Sequence, residues 1–182
     1  MNTVQPIRDM DTVLDIARYL KDKNKRDYVM FVTGIYSGLR ISDILKLRVR
    51  DVRGKDHISI REKKTQKEKR FLINKNLKKI LEEYIRGKDD LAYLLENPKT
   101  HKAITRQWAY ATIREAGEKF GVHNLGTHTM RKTFGYHMYQ ATKDGAMLMK
   151  LFNHSDIHIT LRYIGIEQDQ TDKAISKLNF GI

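Results

Sequence analysis

Apolar residues recur at helical spacing through most of this chain, and that recurrence limits its fold more than any other feature. Met10, Val13, Leu14, Ala17 and Leu20 mark one amphipathic helix, and Tyr28, Phe31, Val32 and Ile35 mark a second beyond a charged break at residues 21–27. Ser37, Gly38 and Leu39 interrupt the second helix, and a short helical segment over residues 41–47 follows, so Arg40 sits at a turn between packed elements. Polar and apolar residues alternate over 57–60, residues 71–73 are apolar, and the basic stretch 63–69 joins them, which reads as a hairpin. Asn74 is placed to cap a helix whose buried stripe is Leu77, Ile80, Leu81, Tyr84 and Ile85. Residues 91–95 fit either a short strand or a helical turn, Pro98 marks a loop, and Thr105 begins a helix that ends at Gly121. Met147, Leu148, Leu151 and Phe152 belong to a further helix, and residues 167–178 form a helical tail with Ala174, Ile175 and Leu178 on its apolar face. The expected architecture is α+β but mainly α, with one small antiparallel β-hairpin, in a single domain over residues 1–182.

Composition narrows the partner. The chain has 35 Lys and Arg against 22 Asp and Glu, a formal charge of +13, and such a surface gains from releasing counterions on nucleic acid. No apolar run approaches the length of a membrane-spanning helix, and the first residues lack the basic and apolar regions of a signal peptide. The absence of cysteine removes disulfides and thiolate metal sites. His154 and His158 are four apart and His123 and His128 lie near one another, but without a carboxylate cluster they fall short of a metal-ligand set. No glycine-rich loop of the Walker type is present, so neither metal nor nucleotide cofactor is expected.

Residues 125–134, Leu-Gly-Thr-His-Thr-Met-Arg-Lys-Thr-Phe, hold the clearest chemical signal. If Thr127 caps a helix through its side-chain oxygen, His128 and Arg131 lie three apart on its first turn, aimed at one point beside the positive end of the helix dipole. That combination suits a phosphate. Singly, an Arg, a His or a Tyr such as Tyr163 is more often a surface charge, a satisfied structural ring or a half-buried anchor; together they shift the balance toward chemistry.

Three stretches carry a family resemblance. Ser37-Gly38-Leu39-Arg40-Ile41-Ser42-Asp43 resembles the first arginine box of the tyrosine recombinases, the phage-integrase type of site-specific recombinase. His128-Thr129-Met130-Arg131 resembles their His-x-x-Arg box, and Leu151-Phe152-Asn153-His154-Ser155 followed by Tyr163 resembles their last box, in which a histidine precedes the nucleophilic tyrosine by nine residues. The resemblance implies that Arg40 and Arg131 clamp the nonbridging oxygens of a DNA phosphodiester and that Tyr163 attacks to give a 3′-phosphotyrosyl intermediate. It implies a hairpin lysine as the acid for the leaving 5′ oxygen. Lys64 is the expected residue, with Lys63 and Lys67 close enough to compete for the role or to contact DNA backbone beside Lys132. His128 would assist proton transfer near Tyr163 or orient the phosphate, and His154 would donate to a nonbridging oxygen. Asp43, three residues after Arg40, would hold that guanidinium or form a surface ion pair.

The chain departs from the family pattern at Asn153, where glycine is usual, and at Met130, where leucine is usual. Asn tolerates a left-handed backbone, and Met conserves core volume. The usual N-terminal core-binding domain is expected to be absent, with an accessory DNA-binding protein a possible substitute. The resemblance further implies double-stranded DNA as partner, a tetramer on DNA, a tail over 164–182 exchanged between protomers, and a cytoplasmic protein of bacterial or phage origin. The competing readings are a type IB topoisomerase-like enzyme and a catalytically inactive DNA-binding regulator derived from a recombinase.

Overall fold

The computed structural model describes residues 4–61 and 68–181. Its elements run α1 (Met10–Lys23), α2 (Lys25–Ser37), α3 (Ile41–Ile44), a 3-10 turn (Val49–Asp51), β1 (His57–Arg61), β2 (Glu68–Leu72), α4 (Lys75–Ile85), α5 (Arg106–Lys119), α6 (Thr129–Thr142), α7 (Gly145–Phe152), α8 (Ile157–Tyr163) and α9 (Ile166–Ile175). This is the mainly helical α+β architecture expected, with a two-stranded antiparallel sheet.

The charged break between the first two helices is one residue wide. Asn24 ends α1 by donating its N–H to the Leu20 carbonyl and starts α2 by accepting from the amides of Arg26 and Asp27. The buried face of α1 is Val13, Ile16 and Leu20, whereas Met10 and Leu14 stay exposed at the edge of the stripe. Helix α2 lies at the centre, with Val29, Met30, Phe31 and Val32 almost wholly removed from water. The main core gathers these residues with Leu77, Leu81 and Ile85 of α4 and Ile113 of α5. Asn74 caps α4 as expected, accepting from the Leu77 amide at 2.9 Å, and Thr105 caps α5 through the Trp108 amide.

In the hairpin Ile58 pairs with Phe71 and Ile60 with Lys69. The second strand begins three residues before the apolar run that marked it, because Glu68, Lys69 and Arg70 pair with β1 while their side chains stay in or near water. Lys63, Lys64 and Lys67 lie outside the described residues. Residues 91–95 resolve the strand-or-turn choice as a turn that makes a single bridge, Tyr93 to Arg48. A second core cluster of Leu148, Phe152, Ile164 and Ile166 holds α7, α8 and α9 together and lies directly beneath Tyr163. Helix α9 ends at Ile175, short of the expected 178, and Ile175 with Leu178 and Phe180 beyond it are 58%, 61% and 80% exposed.

Candidate active site

The turn after α2 begins the site. Gly38 has φ 64° and ψ 15°, a left-handed conformation that ends the helix and is unstrained only for glycine. A Cβ there would also strike the Phe134 ring. Two residues on, Arg40 is extended and exposed at the start of α3, with its side chain unused as a cap.

The start of α6 differs from the sequence expectation. Thr127 does not cap the helix; His128 occupies the cap position in a right-handed conformation, φ −82° and ψ −15°, with no side-chain capping bond. The Thr129 hydroxyl instead accepts from the Gly126 amide at 3.0 Å and closes the preceding turn. The reason is the tight turn over 126–129, in which the Thr129 amide donates to the Gly126 carbonyl at 2.9 Å and draws His128 into helical geometry early. His128 and Arg131 still project toward the same region.

Arg131 is 5% exposed, and its position has a clear electrostatic cause. One terminal nitrogen donates to the Gly38 carbonyl at 2.5 Å and the other to the Phe152 carbonyl at 3.2 Å. These carbonyls lie at the C-terminal ends of α2 and α7, where helix dipoles place partial negative charge. The guanidinium also stacks 4.1 Å above the Phe152 ring. Burial lowers its pKa to about 10, so it remains a cation at neutral pH. No ion pair joins Asp43 to Arg40 among the described residues, whereas the Asp43 carboxylate favours the charged form of Arg131.

Tyr163 ends α8 with its hydroxyl 3.3 Å from His128 Nδ1. Its ring lies edge-on to His154 at 5.3 Å and to Phe152 at 5.7 Å between centroids. Burial raises its pKa, while Arg131 and Arg40 oppose the rise by favouring the phenolate. His128 is lowered by partial burial and by the cations Arg106, Lys132, Arg131 and Arg40. His154 is lowered by burial and then by Arg131 and Arg40. Both rings are therefore held neutral near pH 7, beside two permanent cations.

Asn153 adopts φ 58° and ψ 45°, the left-handed cap of α7, so the residue standing in place of glycine does keep the turn that delivers His154. Lys132, named as a DNA contact beside the hairpin lysines, is held inside the protein. It is 8% exposed, its ammonium donates to the Val4 carbonyl at 2.7 Å, and it lies 4.9 Å from the Tyr163 ring centroid. One residue along α6 rotates a side chain by about 100°, which turns Lys132 away from Arg131 and toward the Val4 carbonyl. Thr160 escaped the sequence reading. Its buried hydroxyl lies 3.0 Å from His154 Nδ1, and a threonine three residues before a tyrosine carries no signal of that contact by itself. Among the described residues no group of His, Asp and Glu is arranged to hold a metal ion, and no helix is long and apolar enough to cross a membrane.

Two guanidiniums, two neutral imidazoles and a phenol thus converge on one side of a mainly helical scaffold, a set suited to binding a tetrahedral anion and attacking it. The chain belongs to the phage integrase family, whose model matches residues 7–169. It is 49% identical over 174 residues to a probable integrase/recombinase, YoeC, of Bacillus subtilis, covering 96% of each chain. It is 30% identical over 160 residues to a tyrosine recombinase of Pseudothermotoga lettingae, covering 86% of this chain and 55% of that one. The chain therefore spans nearly all of the first relative and about half of the second. Among solved structures the fold is similar to XerA recombinase, with TM-score 0.73 at 17% identity over 97% of this chain and 65% of that chain. It is also similar to XerH recombinase in a post-cleavage complex with its difH substrate, with TM-score 0.69 at 19% identity over 97% of this chain and 54% of that chain.

Proposed function

We propose that this chain cuts and rejoins double-stranded DNA as a site-specific recombinase, with Tyr163 as nucleophile. The observation that carries the reading is the Tyr163 hydroxyl 3.3 Å from His128 Nδ1, beside an Arg131 whose position is fixed by two helix-end carbonyls. A half-buried phenol is a weak nucleophile, so it needs a proton acceptor and nearby positive charge. His128, held neutral, accepts the phenolic proton through Nδ1. Arg40 and Arg131 take the nonbridging oxygens and stabilise the charge that grows on phosphorus oxygens in the transition state. The Tyr163 oxygen bonds to phosphorus as the bond to the 5′ oxygen breaks, and Lys64 gives that oxygen its proton. The 3′-phosphotyrosyl bond keeps the energy needed for rejoining. A 5′ hydroxyl from a second strand then attacks phosphorus, returning one proton to Lys64 as Tyr163 recovers its own from His128.

His154 donates a hydrogen bond to a nonbridging oxygen. Assembly of four protomers on two sites follows from the same reading, with the exposed apolar face of Ile175, Leu178 and Phe180 covered by a neighbour. A suicide substrate tests the core of the proposal: nicked duplexes from the native genetic neighbourhood are incubated in chelator with wild type and Tyr163→Phe and run on denaturing gels. An adduct from wild type alone is expected. DNA binding without any adduct from wild type would instead support the regulator reading.

A further inference from the structure

Thr160 is fully buried on α8, and its hydroxyl has two neighbours. His154 Nδ1 lies at 3.0 Å and the Asp156 carbonyl at 3.4 Å. A hydroxyl has one proton to give: given to the Asp156 carbonyl it makes a long hydrogen bond and leaves Nδ1–H to donate to Oγ1, whereas given to Nδ1 it makes a short one with that nitrogen as acceptor. Donation to Nδ1 makes that nitrogen an acceptor, which leaves the single proton of a neutral imidazole on Nε2. Among the described residues Nδ1–Thr160 is the only hydrogen bond of the His154 ring.

We propose that Thr160 is a positioning residue: its buried hydroxyl donates to His154 Nδ1 and fixes the ring as the Nε2–H tautomer, so that Nε2–H faces the scissile phosphate. The inference rests on the recombinase reading, because an anion facing Nε2 is what selects between the two directions of the 3.0 Å contact.

The surroundings explain why a tautomer lock is needed. The charged and titratable groups that face His154 are Arg131 from α6, Arg40 from the turn before α3 and the phenol of Tyr163 from α8. The two cations disfavour an imidazolium, and among the described residues no carboxylate pairs with the ring to restore it. A neutral ring has one N–H, and only one of its two tautomers can donate toward the phosphate. Had Nδ1 donated to Thr160, Nε2 would present a lone pair to an anion, which repels it. Phe152 packs edge-on against the imidazole at 5.6 Å and Tyr163 at 5.3 Å, so the ring plane is set by packing and the proton's position by Thr160.

Two measurements decide the matter. Nitrogen-15 NMR of the histidine rings in the DNA-free protein, with His154 assigned through His154→Gln, is expected to report a protonated Nε2 and a bare Nδ1 at about pH 8, well above an ordinary imidazole pKa. A protonated Nδ1 would overturn the proposal whether or not the protein cuts DNA. The second measurement is the rate of adduct formation by wild type, Thr160→Ser and Thr160→Val. Serine keeps the hydroxyl and is expected within about twofold of wild type, whereas valine loses one hydrogen bond and is expected to be about three- to tenfold slower at pH 8. The Thr160→Val defect is expected to shrink toward about pH 5.5, where more of the ring carries both protons and either tautomer's deficit disappears. A defect of equal size at both pH values, or a serine variant as slow as valine, refutes positioning and leaves Thr160 a packing residue. If the wild type gives no adduct while NMR shows the Nε2–H tautomer, the recombinase reading fails and the Thr160 lock stands.

Discussion

Replacing Gly38 by alanine tests the link between backbone geometry and the site. Two costs add at this position. Alanine at φ 64° is strained by about 1 kcal/mol relative to glycine. Its Cβ would also lie 2.7 Å from Phe134 Cε1 and 2.9 Å from Cγ, so the ring must move within a packed cluster at a further cost of about 1–3 kcal/mol. The sum is about 2–4 kcal/mol. Urea unfolding should show it as a fall in midpoint of about 1–2 M for a slope near 2 kcal/mol/M, with the slope unchanged. Gly54 supplies the control: it has φ 63° but nothing within 4 Å of its added Cβ, so Gly54→Ala should lose only the backbone share, about 1 kcal/mol. Because the Gly38 carbonyl accepts from Arg131, Gly38→Ala should also slow adduct formation well below the unfolding range, and Gly54→Ala should not. Equal losses at the two positions would refute the argument that Phe134 makes this turn intolerant of a side chain.

Asn153→Gly should leave stability unchanged or raise it by up to about 1 kcal/mol, since φ 58° suits glycine, whereas Asn153→Val should lower it by more than 1 kcal/mol; a stable valine variant in thermal unfolding would contradict the left-handed cap. His128 and His154 should both titrate below about 6.5 by NMR. The unfolded chain then binds more protons than the folded one, so these rings stabilise fully above that pH and less as pH falls through and below it; histidines titrating above 6.5 would reverse the sign. Lys132→Met should leave the salt dependence of DNA binding unchanged, because the ammonium bonds Val4; a slope reduced by about 0.9 would place Lys132 on a phosphate instead.

Much of this architecture could be read in the sequence because helical periodicity and caps are local. Asn74 caps the helix it was expected to cap, α5 starts at Thr105 as expected, and the break at Ser37–Gly38 falls where glycine can reverse the chain. Helical spacing anticipated that His128 and Arg131 share one face, but the approach of Arg40, His154 and Tyr163 to them was anticipated only through family resemblance, since these residues come from separate parts of the chain. Thr127 failed as a cap because a hydroxyl two residues later competes for the same turn. Lys132 looked like a DNA contact because charge alone does not say which way a helix faces.

The sequence by itself therefore determined the elements and the excess of basic charge, each written in local spacing or composition, while the candidate site residues were named by resemblance. Tertiary structure decided how those side chains are held. Arg131 is fixed by carbonyls 93 and 21 residues away in the chain, Asp43 favours its charged form, and the His154 ring meets a hydroxyl buried by the packing of α8. The physical reason is that hydrogen bonds and desolvation depend on distance in space, and in this chain the partners that set each group's charge and orientation come from elements that meet only when the helices pack.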